Sequence, residues 1–146
     1  MQVQFKLEGA EHLHRSLLEL SQVYDIDGER VIKFGLRKAG KVVAAEMKTR
    51  LDSVARDTGK TSASIGVGVA PKRDLEGGVT GVVVGASKKR SYISRFLEFG
   101  TSKMSARPHA GPAFDASAGA ALGVFVREAK KALSRAARRA ARGMPR

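Results

Sequence analysis

Between Glu29 and Val54 the residues Ile32, Leu36, Ala39, Val43, Met47, Leu51 and Val54 recur every three or four positions. That spacing draws one continuous apolar stripe along an α-helix, so the chain is organised around a long central helix that buries one side. Gly35 and Gly40 interrupt it. Each costs about 1 kcal/mol relative to alanine in a helix interior, and each marks either the close approach of a neighbouring backbone or simple tolerance.

A second stripe runs through Leu122, Phe125, Val126, Ala129, Ala132, Leu133, Ala136, Ala137 and Ala140. At about 100° per residue these fall on one side of a C-terminal helix. The other side is cationic. Arg127, Lys131, Arg135, Arg138 and Arg142 project within an arc of roughly 80° on the same wheel. Cations near the end of a helix also suit its dipole.

Shorter elements fill the rest. Val3, Phe5 and Leu7 alternate with polar residues as a half-buried strand does, and Leu13, Leu17, Leu18 and Leu20 suggest a short helix before the YDIDGE connection. Ile65, Val67 and Val69 alternate with glycines, and Val79 to Gly85 reads as the returning strand after the turn PKRDLEGG. With the N-terminal strand this makes three strands or more. Tyr92, Phe96 and Phe99 stand at i, i+4 and i+7, which predicts one or two helical turns. Ser102 to Pro112 holds two prolines and a glycine and is expected to be a loop. The fold class is α+β: a small antiparallel or mixed sheet packed by the central helix and the basic C-terminal helix.

With 146 residues the chain suits one core, expected over residues 1–142 with a frayed tail at 143–146. Aromatics make up only 5% and tryptophan is absent, so that core is modest and burial in an oligomer would add to it. There is no cysteine, no apolar run of a signal peptide in MQVQFKLEGAEHL, and nothing near the roughly 20 apolar residues that span a bilayer. A soluble protein folded in the cytoplasm, without membrane contact, is expected. Its net charge of +13 draws polyanions. Beyond Gly119, eight basic residues face Glu128 alone, which places more than half of the excess at the C-terminus.

Catalysis requires a nucleophile with its base and stabiliser, or a cluster of metal ligands, and the sequence displays neither. His12 and His14 lie two apart and diverge on a helix, while His109 sits between prolines and is assigned a surface or packing role. Asp25, Asp27 and Glu29 lack the glycine of a calcium loop and suit a helix N-terminus instead. Gly59-Lys60-Thr61 has no earlier phosphate-loop glycine and leads into a strand. No enzyme, metal or cofactor is expected.

The segment YISRFLEFGTSKMSARPHAGPAF, residues 92–114, is the distinctive one. Its Phe96 to Thr101, its Ala106 to Ala113 and the upstream Thr58-Gly59 and Ser64-Ile65 resemble the head–tail joining proteins of long-tailed bacteriophages, called neck, minor tail or tail-completion proteins. Physically, Gly100 permits a sharp turn after a packed Phe96-Leu97-Phe99 cluster, and Thr101 can fix it. Glu98, if buried, must pair, an arginine of a neighbouring subunit being one partner, or else it is solvated. Pro108 and Pro112 stiffen the loop for docking.

The resemblance implies a virion protein at the head–tail junction, assembled in the host cytoplasm as a hexameric or dodecameric homo-oligomeric ring. Its partners would be an adjacent connector or head-closure protein, a tail terminator or tail tube protein, and the genomic double-stranded DNA. The cationic stripe would then face DNA, dock on an acidic protein, or remain a solvated face. A free-standing non-specific DNA-binding protein is the alternative, although aromatic residues for base stacking are missing among the charges. A small nuclease lacks an acidic metal cluster.

Overall fold

The computed structural model describes residues 28–54, 59–71 and 80–142, with Arg15, Ser16, Glu19 and Gln22 ahead of them. Those four are helical and exposed, in keeping with a short first helix. The N-terminal strand, the leucines of the first helix, residues 24–27 of the YDIDGE connection, His12, His14, the hairpin turn at 72–79 and the tail at 143–146 lie outside the described residues.

The central helix α1 spans Gly28–Val54 and buries Ile32, Ala39, Val43, Met47 and Leu51, five of the seven stripe positions. A four-residue turn of helix, α2 (Lys60–Ala63), follows Gly59, whose φ of 73° provides the left-handed residue that reverses the chain. Sequence patterning gave no sign of α2, because four residues are too few to display a period. Strand β1 (Ile65–Val69) occupies its expected place, while β2 (Val82–Ala86) begins three residues later than Val79. They pair antiparallel, Ile65 opposite Ala86 and Val69 opposite Val82. Among the described residues the sheet has these two strands.

Next come α3 (Ser91–Phe99), a nine-residue helix, and α4 (Ala110–Ala141), of thirty-two. Helix α4 starts inside the segment expected to be loop, and it takes in Gly111 and Pro112. Proline is tolerated there because a first-turn residue has no intrahelical acceptor for an N–H.

The two long helices run antiparallel. Gly35 of α1 lies against Phe125 of α4, whereas Ala44, Met47 and Leu51 share a cluster with Ala110 and Ala113 at the start of α4. A Cβ at Gly35 would stand 2.9 Å from the Phe125 ring, and one at Gly40 2.9 Å from Val67. Both glycines therefore admit a side chain from a neighbouring element. The first core cluster joins Ile32, Ala39 and Val43 to Ala121, Phe125 and Ala129; the second adds Ile65 and Leu97 to the far half of α1.

Between the buried Ala110 and Ala136 of α4, the buried row is Ala113, Ser117, Ala121, Phe125 and Ala129, every fourth residue. Each such step turns about 40° about the axis, so the buried face winds around the helix. Leu122, placed inside by a straight stripe, is 39% exposed for that reason.

Candidate functional site

Helix α3 buries Ser94 and Leu97, which stand three residues apart. Its aromatics point outward: Tyr92 is 56%, Phe96 47% and Phe99 66% exposed, with the Tyr92 and Phe96 rings edge to face at 6.0 Å. The expected packed cluster of Phe96, Leu97 and Phe99 is thus corrected, since only Leu97 enters the core. A nine-residue helix with one buried side must present its i, i+4, i+7 row either to the core or to the surface, and here Ser94 and Leu97 take the core.

Glu98 anchors this helix. Its Oε2 accepts from the backbone N–H of His109 at 2.8 Å and of Ala110 at 2.9 Å, and its Oε1 from Gly111 at 3.2 Å. The first intrahelical bond of α4 is Ala113 N–H to His109 C=O, which leaves the four preceding residues without helical acceptors. Three of them are capped by Glu98, and the fourth is Pro112, which has no N–H to satisfy. The Glu98 side chain is 9% exposed, and its partners belong to its own chain, not to an arginine of a neighbour. Negative charge at a helix N-terminus is further favoured by the dipole.

The turn between the helices is equally constrained. Gly100 has φ 74° and ψ −177°, a region open essentially to glycine, and a Cβ there would lie 2.8 Å from both Ala106 N and Met104 O. Thr101 and Met104 bond each other's backbone, and the Thr101 hydroxyl accepts from Lys103 N–H at 3.3 Å, the local fixing expected of it. Arg107 donates its N–H to Leu97 C=O at 2.7 Å and its guanidinium to Val54 C=O at 3.0 Å, capping the end of α1. Pro108, beside it, is exposed. Residues 98–111 therefore clasp α1, α3 and α4 together.

His109 is fully buried at the cap of α4. Its Nε2 lies 2.9 Å from Ser94 Oγ, and its Nδ1 3.1 Å from Glu98 Oε2 in an orientation that makes no hydrogen bond. A proton on Nδ1 faces the carboxylate with favourable charge, leaving Nε2 to accept from the Ser94 hydroxyl. Serine, histidine and carboxylate in this order have the connectivity of a nucleophilic relay. Here Ser94 is 4% and His109 0% exposed, and the carboxylate is occupied in capping.

Burial pulls the His109 pKa below its ordinary 6.5 despite the opposing Glu98 charge. Glu98 is pushed up by burial, but the backbone N–H groups of Ala110, His109 and Gly111 outweigh that and hold it below 4.5. Both groups make acid destabilising. The unfolded chain protonates His109 first as pH falls from 6.5, and Glu98 adds a second loss below 4.5. Urea unfolding at about pH 7.5 and about pH 5.5 should show lower stability at the lower pH, and His109→Gln should shrink that difference. An unchanged difference in the variant would contradict this assignment.

Arg127, Lys131, Arg135, Arg138 and Arg142 are all exposed, so the stripe lies on the surface of α4 and just past its end. Lys131 meets Glu128 at 3.3 Å. Glu98 ties α3 to the start of α4, and the stripe occupies the far half of α4, some 16 residues or more from Gly111, or about 24 Å along the axis. Sequence reading found both sets of residues but missed the clasp, since Ser94, Glu98 and His109 meet only through the Gly100 turn.

Together these features define an α+β protein of two antiparallel long helices with a clamped aromatic helix on its surface. Residues 12–100 match the family described as "Bacteriophage HK97-gp10, putative tail-component", more than half of the chain, and the chain belongs to that family. This agrees with the resemblance carried by Phe96 to Thr101. The match ends at Gly100, so α4 lies beyond it. Comparisons with curated proteins and with solved structures gave no match.

Proposed function

We propose that the protein forms a homo-oligomeric ring at the head–tail junction of the phage particle, joins head to tail, lets the genome pass, and performs no catalysis. The observation that carries this reading is the exposed aromatic row Tyr92, Phe96 and Phe99 on a helix fixed at its C-terminal end by Glu98 and Gly100. Exposed aromatics on a rigid element are what protein interfaces use, because they bury large apolar area with little rotamer entropy lost. Membership of a phage tail-component family supplies the setting. A closed ring requires a head-to-tail contact between unlike surfaces, and six or twelve copies would match the symmetry of tail or portal. The ring's neighbours would be a connector or head-closure protein on one side and a tail terminator or tube protein on the other. The burial of Ser94 and His109 supports the non-enzymatic part of the reading.

Changing Phe96 and Phe99 together to serine should abolish ring formation in mass photometry. Because both side chains are exposed, the monomer should keep its stability to within about 1 kcal/mol. Rings of unaltered size in the double variant would remove the aromatic row from the contact.

A further inference from the structure

We propose that the stripe on the far half of α4 is a sequence-indifferent contact for the sugar-phosphate backbone of duplex DNA. Its place in a channel rests on the ring reading above, while its chemistry does not. Arg127, Lys131, Arg135, Arg138 and Arg142 are exposed. Arg127, Lys131, Arg135 and Arg138 extend about 17 Å along the axis within an arc of roughly 80°, and Arg142 follows just past the helix end. A straight array of cations on one side of a rod meets the outside of a linear polyanion and does not enter a groove.

The residue types narrow the ligand. Within α4 there is no asparagine or glutamine, the side chains that read adenine edges, and from Val126 to Ala141 there is no aromatic on which an unpaired base could stack. Duplex DNA, with a charge about every 1.7 Å of axis and a condensed counterion layer to release, gains more from such an array than an acidic protein surface does. Glu128 is the sole acid among these cations, and it holds Lys131 at 3.3 Å. It therefore opposes the same ligand.

The test is fluorescence anisotropy of the full chain with a labelled duplex of about 20 base pairs at several salt concentrations. Five phosphate contacts predict a slope of about −4.5 in log affinity against log salt, equal for A·T-rich and G·C-rich duplexes, with weaker binding of the matching single strand and of polyglutamate. Changing Arg127, Lys131, Arg135 and Arg138 to Gln should weaken duplex binding at least tenfold and flatten the slope by about 3.6. Changing the exposed Arg37, Lys41, Lys88 and Lys89 to Gln removes the same charge from other surfaces and should weaken it less than about threefold. Glu128→Gln should tighten it about two- to threefold, a gain that misfolding cannot produce.

Equal losses in the two quadruple variants would overturn the proposal. So would polyglutamate or single-strand binding as tight as the duplex, or binding insensitive to salt. Ring assembly is scored separately in the same samples. Rings without duplex binding refute this inference alone, and duplex binding without rings refutes the ring and leaves the stripe's chemistry standing.

Discussion

Glu98→Ala is expected to destabilise the protein by about 3–4 kcal/mol, read as a fall in the urea midpoint with an unchanged slope. Loss of an N-cap side chain alone costs about 1–2 kcal/mol. Here one carboxylate serves three N–H groups, those of His109, Ala110 and Gly111, and all three lose their acceptor together. The buried His109 Nδ1 also loses the charge beside it. Glu98→Gln keeps an acceptor oxygen but not the charge, so it should fall between wild type and alanine. A loss under about 1 kcal/mol for the alanine variant would mean that water replaces the carboxylate and the clasp is not a stability element.

Gly100→Ala should cost about 3 kcal/mol, and for a different reason. The backbone at φ 74° and ψ −177° is one that a Cβ resists, and the new atom would stand 2.8 Å from two backbone atoms, Ala106 N and Met104 O. Backbone cannot swing aside as a side-chain end can. The chain must open the turn, which moves Glu98 away from α4. Since both substitutions disable one clasp, the double variant should lose less than the sum of the two, and a thermodynamic cycle measures the shortfall. Full additivity would show that the turn and the cap act separately.

How far the sequence foretold this fold depended on the range of the interaction. The stripe of α1 and the alternation of β1 are periodic over several residues, and both were legible with boundaries within a residue. The start of α4 was not, because Gly111 and Pro112 read as loop until Glu98, more than ten residues upstream, supplies the cap. Phe96 and Phe99 lie in the segment that carries the resemblance, yet their apolar spacing suggested a packed cluster. A period specifies a face and leaves open whether that face meets the core or the surface. Ser94, Leu97 and the clasp decide it for α3, and none of the three is periodic. The cationic stripe was plain in the sequence because charges on one helix need no tertiary contact to align.

As a ring-forming joint, this tail-component family member is expected to assemble into rings and to cap a tail tube. Electron microscopy of the purified full chain, alone and mixed with tail tubes, should show ring-shaped projections or tubes capped at one end. Dispersed monomers that leave the tubes bare and coat added DNA would contradict it and favour a free-standing DNA-binding protein.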